Sequence, residues 1–436
     1  MRSSGLSYAA GEDGPRADGA GSNAAPGDRN GLLDVAIDAF LVVWLIVASN
    51  AVIPLLMLGN SENLNADDLA FLRLLIVPFI IVTPFLLATR YRAAIDLLLH
   101  NLPLVVLLLW VWCSVAWSID PALSARRALG LTMFTLLACY TVIRHDTDWL
   151  LRVLSWMIVV ILVLSVLFIL GLPELSRMPD ERGLRGVFTH KNGMGELLVI
   201  AAIILPPAIR RRLVPAPVGW LGLGLAAALL LPVNSATATV VVLLIILTHV
   251  VLAVWRLPSR LAMAITALAI SAVTLGAAIL LANIDVIFDA LGRDTTLTGR
   301  VGIWQFARTM IEQKPLLGYG YNAFWERPEF AQYAVDTFGW IVPNAHNGYL
   351  DTLLSIGVIG LVLMFVFFGS AVLRGLRRVT DADDIAASIT LALIMGSLVR
   401  ASLETNLLGQ NSIIWVLTVI FTVAMTPGAD SLRERS

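Results

Sequence analysis

The chain is 436 residues long, 58% hydrophobic and only 14% charged, with a mean hydropathy of +0.83. Soluble domains are roughly half apolar and a quarter charged, so this composition excludes one and marks a polytopic membrane protein, all-α in fold class. A formal net charge of −1 with dispersed cations gives no footing for nucleic acid, and Cys113 and Cys139, both inside apolar runs, exclude a disulfide framework or a thiolate metal site.

In chain order, residues 1–31 are rich in Gly, Ala, Ser, Asn and Asp and have no apolar centre. They read as a disordered cytoplasmic tail, and they lack the charged start and apolar core of a cleavable signal. A membrane span needs about 20 apolar residues to cross about 30 Å of hydrocarbon. Candidate spans are 35–59, 69–88, 102–118, 127–143, 149–171, 193–209, 216–233, 236–255, 261–282, 348–371, 385–403 and 411–427, which gives about 12 transmembrane helices. Only Asn234 and Ser235 separate 216–233 from 236–255, and these must be distinct helices to avoid one impossibly long span. The organisation is thus tail 1–31, nine transmembrane helices over 32–282, a large periplasmic loop with short helices over 283–347, three transmembrane helices over 348–427, and a cytoplasmic tail 428–436.

Most Lys and Arg fall on one side if the N-terminus is cytoplasmic, including Arg90, Arg92, Arg144, Arg152, Arg210, Arg211, Arg212, Arg374, Arg377 and Arg378. The outer side nevertheless keeps three cationic clusters: Arg126 and Arg127; Arg177, Arg182, Arg185 and Lys191; and Arg293, Arg300, Arg308, Lys314 and Arg327 in the long loop. Translocated cations oppose the topological bias, so their concentration on one face points to an anion site there. Any one of them could instead snorkel or pair with Asp120, Glu181 or Asp294.

Three outer segments carry chemistry. In the first, Arg182, Arg185, His190, Lys191 and Asn192 precede Gly193 and Gly195 at the start of a helix, an arrangement that suits phosphate. Glu196 follows at the membrane end, where it needs a partner or a role. The second opens on Thr298-Gly299-Arg300, a helix start running to about Gln313 before Lys314-Pro315 stops it. Arg300, Trp304 and Arg308, four residues apart, share one face that could hold pyrophosphate with Trp304 stacking on a sugar, or could rest on lipid headgroups. Gly318-Tyr319-Gly320-Tyr321 then offers flexible backbone with aromatics, for carbohydrate or for an aromatic belt. The third is Asn344-Ala345-His346-Asn347-Gly348, leading to Gly357 and Gly360. A neutral histidine at a membrane surface can take a proton from an attacking hydroxyl, or it can be structural. His190 and His346 are the only outer histidines in this topology. Arg400 and Glu404, spaced i, i+4 near the outer end of a span, are expected to pair. Trp117-Ser118-Ile119-Asp120-Pro121 with Arg126 and Arg127 could close a donor site or simply cap a helix.

His346-Asn347 followed after nine residues by Gly357-x-x-Gly360 resembles the signature of the O-antigen ligase and O-antigen polymerase superfamily of bacterial envelope glycosyltransferases. Gly299-Arg300, Pro315-Leu-Leu-Gly318-Tyr-Gly320 and Thr189-His190-Lys191-Asn192 resemble it too, the last being similar to ExoQ-type exopolysaccharide polymerases. The resemblance covers roughly 100–425. It implies an inner-membrane transferase that takes a polyprenyl-diphosphate-linked glycan as donor and a glycan as acceptor, with no cofactor and no metal, its active site periplasmic and both termini cytoplasmic. It further implies chain-length regulators and export proteins as partners. Carried over, Arg185 and Arg300 would bind the diphosphate and His346 would orient or deprotonate the acceptor hydroxyl. Arg182, His190, Lys191, Asn192, Trp304, Arg308, Tyr319, Tyr321, Asn347, Arg400 and Glu404 would line the substrate site.

The expected activity is polymerisation of lipid-linked repeat units. A ligase that passes finished glycan to lipid A core or protein needs the same donor site. A flippase would instead place charges along a midplane path, often in repeated halves. The spans here have few central charges and no internal repeat is evident.

Overall fold

The computed structural model describes residues 27–51, 66–178, 183–254, 300–338, 342–379, 384–405 and 407–428. By compactness the chain divides into Met1–Val42 and Val43–Ser436. The first of these holds most of α1 (Gly27–Ala48), so the helix begins inside the stretch expected to be a disordered tail. The remaining helices all fall within the second unit.

The described residues are helical, with a lone bridge between Arg177 and Leu184 as their only β pairing. The helices are α2 (Ala66–Thr89), α3 (Tyr91–Leu99), α4 (Leu102–Cys113), α5 (Pro121–Arg144), α6 (Thr147–Gly171), α7 (Lys191–Arg210), α8 (Ala216–Leu230), α9 (Ala236–Val254), α10 (Arg300–Gln313), α11 (Pro328–Phe338), α12 (Gly348–Arg378), α13 (Ile385–Arg400) and α14 (Ile413–Ala424). Their starts are written in short polar side chains. Asp120, Asp146, Asp384 and Ser412 each accept an N–H of the first turn of the helix they precede, and Pro121 stands where no donor is needed. Asp120 is therefore a helix cap. Arg126 and Arg127 lie inside α5, not in a loop before it. Asn234, at φ +52°, turns the chain between α8 and α9, which are separate helices as expected.

Among the described residues, five helices are long and apolar enough to cross a membrane: Gly31–Ala48, α5, α6, α7 and α12. A sixth arises if α2 and α3, bent by 97°, form one broken span. The segments Leu102–Trp117, Ala216–Leu230, Ala236–Val251, Ile385–Arg400 and Ile413–Ala424 are apolar but shorter. The expected span 35–59 is helical through Ala48 and its residues 52–59 lie outside the described residues, as does the whole of the expected span 261–282. α14 is 12 residues long and every residue from Ile413 to Val423 is buried, against α13 and α5. A helix apolar on all sides belongs inside a bundle. Around this core, Trp156, Val160, Leu164 and Leu167 of α6 and Val358, Val362, Phe365 and Val366 of α12 stay exposed at helical spacing. Apolar stripes left outward at this spacing match an apolar solvent.

α12 is two helices in one. Gly357, at φ +68° and ψ −173°, breaks it in a conformation closed to side chains. The break strands the carbonyls of Leu354, Ser355 and Ile356, which accept from Tyr319 N–H (2.7 Å), Gly320 N–H (2.9 Å) and Trp110 Nε1–H (3.0 Å). In return Pro315 O accepts Val358 N–H at 2.8 Å. A Cβ on Gly357 would sit 2.1 Å from Leu316 O, and one on Gly318 would sit 2.8 Å from Gly357 N. The Pro315–Gly320 motif and the Gly357-x-x-Gly360 motif are thus two sides of one joint, and the carbonyls freed by the break are satisfied there. α10 packs on the first half of α12 over an apolar cluster of Ala307, Tyr319, Phe324 and Leu354.

Candidate functional site

α12 runs away from Gly348 and α13 returns to Arg400, so Gly348, Arg400 and the start of α7 lie at one end of the bundle. Arg378–Asp384 and Arg211–Asp148 lie at the other. The first end is organised by residues 400–405. Arg300, the first residue of α10, donates from Nη1 to Leu403 O at 2.6 Å, and its Nη2 stands 3.8 Å from Glu404 Oε1. Asn192, in the first turn of α7, donates from Nδ2 to the same Glu404 oxygen at 2.8 Å. Arg400 ion-pairs with Glu196 of α7, and the four charged side chains of this cluster are largely shielded from solvent. Burial raises the pKa of Glu404, while the charges of Arg400 and Arg300 pull it back, and Lys191 also acts on it. The i, i+4 pair expected between Arg400 and Glu404 therefore survives as an electrostatic influence only; the hydrogen bond of Arg400 goes to Glu196, on another helix.

The His346 turn docks on the same segment. Asn347 caps α12 through N–H groups of Tyr349 and Leu350, and its Nδ2 donates to Ser402 O at 3.3 Å. Gly348 N–H reaches both Ala401 O (2.8 Å) and Glu404 O (3.0 Å). A Cβ at Gly348 would meet Ala401 Cβ at 3.2 Å, so glycine permits this approach. His346 itself has φ +48°, a left-handed conformation unusual outside glycine, with its N–H given to Asn344 Oδ1 at 2.9 Å and its side chain half-buried.

Several residues expected to meet substrate spend their polar groups inside the protein. Trp304 donates its indole N–H to Ala345 O at 2.9 Å, so it props the His346 turn. Tyr319 and Tyr321 are buried, their hydroxyls given to Met310 O (2.8 Å) and Leu408 O (2.6 Å). Burial raises both phenols, so neither is suited to give up a proton at neutral pH. Arg185 is 3% exposed and donates to Leu175 O (2.9 Å) and Thr189 O (3.3 Å). A guanidinium so placed ties its own loop, whereas Arg300 stands in the cluster. His190 caps α7, its Nδ1 accepting Asn192 N–H at 3.1 Å. Gly195 lies where a Cβ would be 2.8 Å from Ala238 Cβ, so it serves helix packing against α9. Arg308 is exposed, and Arg182 lies outside the described residues.

Two participants carried no strong signal in the sequence. Asp351 accepts Trp325 Nε1–H (2.8 Å) and Ala345 N–H (2.9 Å) on Oδ1 and the Thr405 hydroxyl on Oδ2. Its only sequence clue is a carboxylate one turn inside a helix behind a capping Asn. Beside it, the second is a small recess of about 40 Å³, lined by Asp351, Ser355, Asn322, Thr405 and Gly348. Among the described residues no group of three or more His, Cys, Asp or Glu is placed to hold a metal ion. This end of the bundle thus offers a guanidinium and a carboxylate on one segment and an imidazole on a turn held to the same segment.

Residues 221–365 match the O-antigen ligase family. That stretch contains Arg300, His346 and both halves of the Gly357 joint. The chain is also 28% identical over 310 residues to the exopolysaccharide production protein ExoQ of Rhizobium meliloti (strain 1021), covering 68% of this chain and 70% of that protein. The resemblance read from the motifs agrees with these matches: the chain is similar to the O-antigen ligase family over residues 221–365, and its apolar helices indicate an integral membrane protein.

Proposed function

We propose that the protein polymerises polyprenyl-diphosphate-linked oligosaccharide repeat units into exopolysaccharide at the periplasmic face of the inner membrane. The observation that carries the reading is the convergence of Arg300, Glu404 and the His346 turn on residues 400–405, in a chain matching the O-antigen ligase family. In the reaction the acceptor hydroxyl oxygen attacks the anomeric carbon of the donor and its proton passes to His346. The bond from that carbon to the diphosphate breaks, and the diphosphate leaves with the electron pair. Diphosphate is already a good leaving group, so a fixed guanidinium at Arg300 and correct positioning supply what the step needs, and a single displacement inverts the anomeric centre. Arg300 reaches the anion by exchanging its 3.8 Å contact with Glu404, while Asn192 and Lys191 extend the donor site. Arg185 acts through the loop it ties.

The similarity to a protein named for exopolysaccharide production favours polymerase over ligase. The twelve-span topology with both termini cytoplasmic, a periplasmic 283–347 loop, and association with chain-length regulators and export proteins belong to the same proposal. The test is purified protein in lipid nanodiscs with polyprenyl-diphosphate-linked repeat units. A ladder of lengthened lipid-linked chains is the expected result. Transfer only to added lipid A core would establish a ligase, and translocation without bond formation would establish a flippase; either result ends the polymerase reading.

A further inference from the structure

We infer that Asp351 is the positioning residue for His346: it sets the backbone turn from which the imidazole projects. The inference rests on the role proposed above for His346. The carboxylate sits in the first turn of α12, and both oxygens are occupied by donors from three separate segments: Trp325 from the loop, Ala345 from the turn and Thr405 from beyond α13. Ala345 is the residue just before His346. Its N–H is held by Asp351 and its C=O by Trp304, so the residue entering His346 is clamped on both sides. The left-handed φ of His346 is a conformation that persists where surroundings over-determine it, and Asp351 ties this turn simultaneously to Trp325 and Thr405.

The donor chemistry explains why a carboxylate stands there. Three hydrogens converge on one side chain, and a carboxylate accepts all of them without offering a proton that would need its own acceptor. Asparagine comes close: its amide oxygen accepts the Ala345 and Trp325 N–H groups, and its amide nitrogen donates to the Thr405 hydroxyl. Alanine strands two N–H groups and frees the turn. A group that orients a reacting side chain through a backbone turn is worth about 10- to 100-fold when removed, by analogy with outer-shell partners of metal ligands and with about 1 Å misplacements of reacting groups.

The test measures two quantities in full-length protein in nanodiscs: polymerisation kinetics, and the rate at which diethyl pyrocarbonate modifies His346, followed by mass spectrometry with exposed His100 as internal reference. For Asp351→Ala, kcat is expected to fall about 30-fold with the donor KM within about 2-fold, and the His346 modification rate to change by about 5-fold or more against His100. Asp351→Asn is expected to restore both to within about 3-fold of wild type. Unchanged kcat and unchanged His346 modification in folded Asp351→Ala overturn the inference, as does a loss in Asp351→Asn equal to that in alanine. If the alanine protein does not reach the membrane, Thr405→Val decides, since it removes only the Oδ2 partner: a fall in kcat of about 5-fold with altered His346 modification supports the role, and no change in either overturns it. Wild-type protein that forms no glycosidic bond sinks the proposed function instead, and the modification rates then still decide whether Asp351 places His346.

Discussion

The two ends of the helix bundle use arginine differently. At the end holding Arg211 and Arg378, cations sit near helix C-termini, where they complement the dipole, and pair with Asp148 at 2.6 Å and Asp384 at 3.4 Å. Arg374 donates to Asn101 Oδ1 at 2.7 Å, and Asn101 in turn donates to Thr426, linking three segments through one amide. These contacts fasten helices and are complete in themselves. At the other end, Arg300, Arg400, Glu196 and Glu404 are more shielded, come from α10, α13, α7 and the 401–405 turn, and meet on one short segment. The long 3.8 Å separation of Arg300 from Glu404 is a weak tie that an arriving anion can replace. Under the proposed function, position within the bundle, and not arginine content, separates a fastening charge from a working one.

The comparison can be broken most severely at the joint that holds the working end together. Gly357→Ala places a Cβ against Leu316 O and a side chain at a forbidden φ, so membrane-inserted protein is expected to fall below detection by immunoblot. Next, His346→Ala is expected to lower chain-growth rate by about 10²- to 10⁴-fold and Arg300→Ala by about 10²- to 10³-fold, both with normal expression. Full activity in either would remove that residue from the mechanism. Trp304→Phe deletes one hydrogen bond to the turn before His346 and should cost about 10-fold in kcat with donor KM unchanged; a rise in KM alone would return Trp304 to substrate stacking.

Smaller effects sharpen the contrast. Because burial raises Glu404, its carboxylate takes up a proton more readily in the folded protein than in the unfolded chain. The stability this contributes is fully present below the ordinary carboxylate range and is lost as pH rises through the raised value. Melting temperature in detergent should therefore decline across that window in wild type and be flatter in Glu404→Gln. Smallest of all, Arg211→Ala removes a partly exposed pair at the opposite end. It should cost no more than about 1 kcal/mol and leave polymerisation unchanged, and a large loss of activity there would erase the distinction between the two ends.

Much of this organisation was readable from the residues, and the unreadable part has a common cause. The α10 helix ending at Gln313, the separation of α8 from α9 and the cap at Asp120 come from local signals: a stop at Lys314-Pro315, a two-residue polar break, and an Asp before a Pro. Arg400 illustrates the limit. Its near neighbour in sequence, Glu404, was the expected partner, yet its hydrogen bond goes to Glu196, 204 positions away. The aromatics show the same limit, since Tyr319 and Tyr321 have the composition of a sugar platform yet lie buried, and half-buried Trp304 gives its indole N–H to Ala345 O.

The sequence by itself determined that the chain is a helical membrane protein, that basic residues cluster in a few polar segments, and that Arg300 and His346 stand within the stretch similar to the O-antigen ligase family. Apolar content, helical period and capping are short-range properties, each complete within a turn or two of chain. Only the tertiary structure decided that residues 400–405 gather Arg300, Asn192 and the His346 turn, that Arg185 donates to Leu175 O and Thr189 O, that Gly357 breaks α12 to receive Pro315–Gly320, and that Asp351 holds the residue before His346. Those outcomes depend on which buried donors must find acceptors once the helices pack, and that pairing is settled across the bundle.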